Sequence, residues 1–271
     1  MVLYLKILHA GALRMPITKC VKLLKKLHGD VQVDLESYGS RACAKQVREG
    51  KVVDILALAD PVLFDELLVP EYVDRYYIFG NDQIVLSYDE FSRGSSEINE
   101  QNWMDILLRE DVAFGRSDEN MDPCGYRTLM VWQLAERYYK RPGLFDSLNK
   151  KCTDDKIYPK SYDLGTDILE GKLDYAFQYL CVANQFRLKY ITLPEKINLS
   201  NPAHADYYQQ VSVVLKGKTP RDQVVITGAP VEFAVAIPKN AANQEVARIF
   251  LDLMLSKRGQ QVLENCGLIP Y

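Results

Sequence analysis

Val231-Glu232-Phe233-Ala234-Val235-Ala236-Ile237-Pro238 is the run whose reading decides the architecture. Its apolar and β-branched residues predict a strand, and Pro238 stops it. Asn243 to Leu263 follows with apolar residues at Val246, Phe250, Leu253 and Met254, the spacing of one amphipathic helix. If this strand and helix rejoin the beginning of the chain, the polypeptide crosses between two lobes twice, near Tyr88 and near Pro230. The expected division is 1–86 with 231–271 in lobe 1 and 87–230 in lobe 2. Two lobes joined by two hinge strands form a clamp that closes on a ligand.

The front of the chain supplies the sheet that the return strand would join. Val2 to Leu8 reads as a strand, and Pro16 to Leu27 as a helix with Ile17, Val21, Leu24 and Leu27 on one face and a stop at Gly29. Val31 to Glu36 reads as a second strand, Ala42 to Arg48 as a short helix ended by Gly50, and Val52 to Ala57 as a third strand. This β-α-β-α-β order predicts an α/β fold with a parallel sheet and ligand sites at the strand ends. A helix over Pro61 to Leu68 follows, and Tyr76 to Tyr88 contains a long strand-like run around Gln83-Ile84-Val85-Leu86-Ser87-Tyr88.

The middle repeats the logic. Trp103 to Leu108, Gly125 to Tyr139, Asp163 to Leu169 and Val182 to Arg187 read as helical, and Val112 to Phe114 and Leu173 to Tyr179 as strands. Val211 to Leu215 and Val224 to Ile226 flank a turn at Gly217 and Pro220, a hairpin expected to decorate the surface.

Composition narrows the function classes. The chain has 271 residues, 48% hydrophobic and 25% charged, which suits an ordinary globular protein of one large domain or two lobes. A net charge of -3 argues against nucleic-acid binding, which needs a basic patch. No apolar run reaches the ~18 residues of a spanning helix, and Met1 to His9 reads as a β-like segment instead of a secretory signal. The six cysteines form no CxxC pair and no metal-type spacing with the three histidines, so structural zinc is not expected. Cys20 and Cys43 fit buried free thiols, while disulfide pairing stays open.

Met121-Asp122-Pro123-Cys124-Gly125-Tyr126-Arg127 reads as a loop opening a helix and leaving backbone amides free, an arrangement that attracts anions. His9-Ala10-Gly11-Ala12-Leu13 and Ser37-Tyr38-Gly39-Ser40-Arg41 are similar openings after strand-like runs. Three such loops suggest one small bound anion. The plainer readings stand beside this one. Asp122 and Ser40 also suit helix N-caps, Tyr179 suits a core position with its hydroxyl at the edge, and Arg127 suits pairing with a nearby acid. No Ser-His-Asp, Cys-His or paired-acid arrangement is evident, so an enzyme is not expected.

The ordered set Leu5-Lys6-Ile7-Leu8-His9-Ala10-Gly11, Gly39-Ser40, Asp54-Ile55-Leu56-Ala57, Asp122-Pro123-Cys124-Gly125-Tyr126-Arg127, Leu169-Glu170-Gly171 and Leu193-Pro194-Glu195-Lys196-Ile197-Asn198-Leu199 covers nearly the whole chain. It resembles the substrate-binding proteins of molybdate and tungstate ABC transporters, particularly the archaeal-type group. The resemblance implies a type II periplasmic binding protein fold with an oxyanion in the interlobe cleft. It places Gly11, Ala12 and Ser40 at the anion from one lobe, and Asp122, Pro123, Cys124, Ser161 and Tyr179 from the other. Ala12 stands where the family usually has serine, and Ser161 where it usually has glutamate. In this subgroup a carboxylate from each of the Asp122 and Ser161 positions is expected to approach the metal of the oxyanion, so here Asp122 is the implied ligand to molybdenum or tungsten. The resemblance implies no cofactor beyond that bound ligand. It implies a membrane permease as partner, a monomer, no nucleic acid, and an extracytoplasmic location with the leader absent from this chain; without a leader the location would be cytoplasmic. The alternative is a diverged sensor or effector-binding domain of the same fold, taking another small anion such as sulfate or a carboxylate.

Overall fold

The computed structural model describes residues 3–29, 31–217 and 222–270, so Val2 and Pro220 of the expected strand and turn lie outside the described residues. The chain divides into two compact units, 1–82 with 232–271 and 83–231.

In chain order the first unit carries β1 (Leu3–Ala10), α1 (Arg14–His28), β2 (Val31–Tyr38), α2 (Ser40–Arg48), β3 (Ile55–Leu58), α3 (Val62–Leu67) and β4 (Tyr77–Asp82). The second carries β5 (Ile84–Tyr88), α4 (Trp103–Leu107), β6 (Phe114–Ser117), α5 (Pro123–Tyr138), α6 (Leu144–Lys151), β7 (Ile157–Tyr158), α7 (Ser161–Leu169), β8 (Tyr175–Tyr179), α8 (Leu180–Phe186) and β9 (Lys189–Thr192). It continues with α9 (Glu195–Asn198), α10 (Ala205–Tyr208), β10 (Ser212–Lys216) and β11 (Gln223–Thr227). The chain then returns through β12 (Val231–Ala236), α11 (Gln244–Leu255), α12 (Lys257–Glu264) and β13 (Ile269–Pro270).

The first sheet has the order β13-β4-β12-β3-β1-β2. β1 runs parallel to β2, from Leu3 opposite Val31 to Ala10 opposite Tyr38, and parallel to β3. The return strand β12 lies antiparallel to β3, with Ala234 opposite Leu58. The apolar face of α1, with Ile17, Cys20, Val21 and Leu24, is buried. Leu8, Val47, Leu56, Phe64, Val73 and Ala234 form a core beside α2 and α3. Asp54 ties this unit together: its carboxylate accepts from the Lys6 amide (2.8 Å) and from the amide and side-chain nitrogen of Asn243 (2.8 and 3.1 Å), the residue that opens α11.

The second unit holds a sheet of order β7-β6-β8-β5-β9 and the separate hairpin β10-β11. β6 is parallel to β7 and β8, whereas β5 is antiparallel to β8 and β9. α5 is buried from Pro123 to Ala135 except at Gln133, and its last turn, with Glu136 and Arg137, reaches solvent. Its Trp132 ring meets Phe177 edge-on at 5.5 Å and Phe114 at 6.0 Å. The hairpin is less of a decoration than expected, because β10 alternates exposed and buried residues and Gln133 of α5 donates to the Ser212 carbonyl (3.0 Å).

The strand-like run expected around 83–88 is β5, and Tyr77–Asp82 before it forms a separate strand, β4, in the other sheet. Two expectations are corrected. Ile84, Val85 and Leu86, expected in lobe 1, belong to the second unit because β5 pairs with β8 and β9. The single helix expected over 243–263 is two, broken where Ser256 is extended (φ -71°, ψ 161°) and its hydroxyl accepts from the Gly259 amide (3.2 Å). No helix among the described residues is long and apolar enough to cross a membrane. All six cysteines are buried thiols outside any disulfide.

Candidate functional site

In the first unit the register of β1 with β2 sets two loops side by side. Ala10 ends β1 opposite Tyr38, which ends β2, so the buried turn Gly11–Leu13 lies beside the start of α2. Gly11 and Ala12 are both in that turn. Ser40 is fully buried and is the first residue of α2, while Gly39 takes the cap position. The hydroxyl of Ser40 accepts from the Ala59 amide (2.9 Å), so it joins α2 to the end of β3 instead of capping its own helix. A hydroxyl that accepts keeps its proton to donate. His9 is buried next to this turn, with Nδ1 2.7 Å from the Ala10 carbonyl, and burial lowers its pKa to about 4.

In the second unit Asp122 is the joint. It is extended, it caps α5, and Pro123 occupies the first helical position, where a missing N–H costs nothing. One carboxylate oxygen accepts from the Cys124 amide (3.1 Å) and the other from the Ser161 amide (2.7 Å), so a single side chain holds the starts of both α5 and α7. The Gly125 amide bonds to the Asp122 carbonyl (2.9 Å). The loop is therefore not the row of free amides expected from its sequence, because Asp122 takes those of Cys124 and Gly125 and the Asp118 carbonyl takes those of Met121 and Asp122. Burial pushes the Asp122 pKa above the usual carboxylate range, opposed by the amides of Ser161 and Cys124.

Gly125 lets this joint close. A Cβ there would sit 2.4 Å from the Ser117 carbonyl oxygen, so only glycine allows the first turn of α5 to reach the end of β6. Ser161 accepts at its carbonyl from the Gln178 side chain (2.7 Å), whose oxygen accepts from the Ser87 hydroxyl (2.6 Å). The Ser161 hydroxyl is fully buried and has no hydrogen-bond partner, and the same is true of the Ser117 hydroxyl. An unmet buried hydroxyl costs about 1–3 kcal/mol, so two of them in one neighbourhood call for an explanation.

Tyr179 is fully buried at the end of β8, and its hydroxyl accepts from Arg127 Nη1 (2.8 Å). Arg127 thus reaches across to this strand from one turn into α5. Burial raises the Tyr179 pKa well above the usual phenol range, so it stays a neutral hydroxyl. The Cys124 thiol donates to the Phe177 carbonyl (3.7 Å), and burial pushes its pKa up. A thiol held protonated is neither a nucleophile nor a soft-metal ligand. Among the described residues no group of three or more His, Cys, Asp or Glu side chains forms a metal cage.

The structure thus brings Asp122, Pro123, Cys124 and Ser161 into one joint, links Tyr179 to it through Arg127, and sets Gly11, Ala12 and Ser40 at adjacent strand ends of the other unit. Ser117 was missed in the sequence because the strand was expected to end at Phe114, whereas β6 runs to Ser117.

Comparison with known proteins supplies the context. Residues 5–269 match the family model described as bacterial extracellular solute-binding protein. The chain is 38% identical to the molybdate/tungstate-binding protein WtpA of Pyrococcus abyssi over 96% of this chain and 82% of the relative. It is also 38% identical to an uncharacterized solute-binding protein of Petrotoga mobilis, with the same 96% and 82% coverage. The periplasmic molybdate-binding protein of Azotobacter vinelandii has a similar fold, with a TM-score of 0.73 at 16% identity over 98% of this chain and 99% of that one.

Proposed function

Because this chain belongs to the bacterial extracellular solute-binding proteins, we propose that it captures a tetrahedral oxyanion, molybdate or tungstate, outside the cytoplasm for uptake through the membrane permease of an ABC transporter. The observation that carries this reading is the joint at Asp122, where one carboxylate holds two helix starts and a buried Ser161 hydroxyl has no partner. The relative named for molybdate and tungstate supports the choice of anion. Gly11, Ala12 and Ser40 from one unit and Asp122, Pro123, Cys124, Ser161 and Tyr179 from the other serve a single anion in this reading. Favourable contacts to both units shift an open population toward a closed one, and the protein works as a monomer.

The departures at Ala12 and Ser161 set the terms of binding. Asp122 has lone pairs left after its two amides and approaches the metal of the oxyanion. Ser161 donates to an oxo group, because a neutral hydroxyl is a poor ligand for the metal itself. Ala12 contributes no side-chain donor. Capture and release involve no bond making, so turnover forms no part of the proposal.

Calorimetry with molybdate, tungstate, sulfate, phosphate and citrate tests it. Saturable binding of molybdate or tungstate at one site per chain is expected. Binding of citrate alone supports an effector-binding domain, and tight binding of no oxyanion ends the transport reading. Ala12→Ser combined with Ser161→Glu restores the family side chains and is expected to raise tungstate affinity; unchanged affinity removes the account of the two departures.

A further inference from the structure

We propose that Asn198 is a positioning residue for capture: it fastens together the two chain crossings that bound the second unit, so that closure runs about one stiff hinge. It rests on the reading above that the units close on an oxyanion. The chain enters the second unit at Gln83 and leaves it at Val231. The run Leu193-Pro194-Glu195-Lys196-Ile197-Asn198-Leu199 holds both places. The Asn198 side-chain nitrogen donates to the Gln83 side-chain oxygen (2.9 Å) and to the Leu193 carbonyl (2.9 Å), and its oxygen accepts from the Ser200 amide (2.9 Å). Asn198 is 1% exposed, and these bonds occupy both of its N–H groups and its carbonyl. One residue on, the Leu199 carbonyl accepts from the Val231 amide (2.8 Å). Two consecutive residues thus grip both ends of the unit.

The grip is anchored. Leu199 lies in the left-handed region (φ 63°, ψ 26°), a conformation that persists in a leucine only where the surroundings hold it. Its side chain is fully buried, and α9 packs against α5. On the other side of the first crossing, the Gln83 carbonyl accepts from the Leu180 amide (3.0 Å), and Ile84 is paired with Tyr179. Gln83 is therefore fixed to Asn198 on one side and, on the other, to the strand end that carries Tyr179. Two crossings that flexed independently would let the units sample many orientations, and closing on an anion would have to order them all. Tying the crossings together removes part of that freedom before the ligand arrives, so less entropy is lost at closure.

Three variants test this. Asn198→Ala removes the whole fastening, Gln83→Ala removes one acceptor and leaves Asn198 its other bonds, and Gln83→Glu keeps an acceptor oxygen in place. Spin labels at Lys26→Cys and Lys150→Cys, exposed positions in the two units, read the spread of distances between the units while the native thiols stay buried. The ligand-free spread is expected to widen in Asn198→Ala and Gln83→Ala and to match wild type in Gln83→Glu. Calorimetry with tungstate is expected to show binding about tenfold weaker in the two alanine variants, the cost of ordering about one further residue at closure, with the loss carried by entropy. The double alanine variant is expected to bind no more weakly than Asn198→Ala, because both act through one bond. A lowered melting temperature with an unchanged spread and an unchanged tungstate constant overturns the proposal and leaves Asn198 a structural fastener. Wild type that binds no tungstate ends the oxyanion reading for that anion, and the ligand-free spreads then decide alone: equal spreads overturn the hinge role, and wider ones in the two alanine variants uphold it.

Discussion

Asp122 joins two helix starts with one carboxylate, and only half of that role is local. Aspartate before proline at a helix opening is a readable cap, so the bond to the Cys124 amide follows from residues 122–124. The bond to the Ser161 amide links positions 39 residues apart and has no local signal. Asp122→Ala removes a cap and leaves the buried Ser161 amide unpaired, so a loss of about 2–4 kcal/mol is expected from those two effects. Asp122→Asn keeps one acceptor oxygen and is expected to lose less; equal losses in urea unfolding would show that the carboxylate does not bridge the two helices. His9 gives the pH dependence. Burial holds its folded pKa at about 4, below the ordinary 6.5, so the unfolded chain takes up the proton first as pH falls. Stability is therefore expected to be full above about 6.5 and to drop on acidification toward about 4, by at most about 3 kcal/mol. His9→Gln removes this part of the drop, which unfolding curves at neutral and acid pH will reveal by their difference.

Elements were legible where a periodic pattern had clear ends and illegible where the pattern continued through a change of partner. α1 was read correctly from its apolar face and Gly29, whose φ of 77° favours glycine. Within 76–88 the residues Gly80-Asn81-Asp82 are poor strand formers and mark the place, just before Gln83, where the chain changes sheets. The helical pattern over 243–263, by contrast, continues across Ser256, because the apolar spacing survives the break between α11 and α12. Ser256→Ala removes the acceptor for the Gly259 amide and is expected to cost about 1 kcal/mol, the usual worth of a cap. Gly125 makes the sharper test of how α5 is seated. A methyl group there meets the Ser117 and Asp118 backbone at 2.4–2.7 Å, and backbone moves only with the strand that carries it. Gly125→Ala is therefore expected to destabilise the protein by about 1–3 kcal/mol or more, as overpacking does, even though alanine is the better helix former. A variant as stable as wild type would mean that α5 can slide away from β6 at little cost.

At the scale of the molecule, the return strand was the informative feature. β12 pairs with β3, with Ala234 opposite Leu58 across the whole of the second unit in sequence, and that pairing makes the first unit discontinuous. The candidate residues fell into two sets for the same reason, and local sequence could place each set at a helix or strand end but not say whether one anion serves both. Ser40→Ala in the first unit and Tyr179→Phe in the second test that question together. If one oxyanion draws on both, wild type binds one tungstate per chain and each variant weakens it by about tenfold, the worth of a hydrogen bond to a charged group. The ligand-dependent rise in melting temperature shrinks in both, because stabilisation follows the ratio of ligand concentration to dissociation constant. Ser40→Ala also removes the acceptor of the Ala59 amide, so its ligand-free stability is measured alongside and the binding loss is judged on the calorimetric constant alone. An unchanged constant in Ser40→Ala with a weakened one in Tyr179→Phe would confine the anion to the second unit. The first unit would then need a different role from the one proposed, and closure around a shared ligand would no longer describe how this protein works.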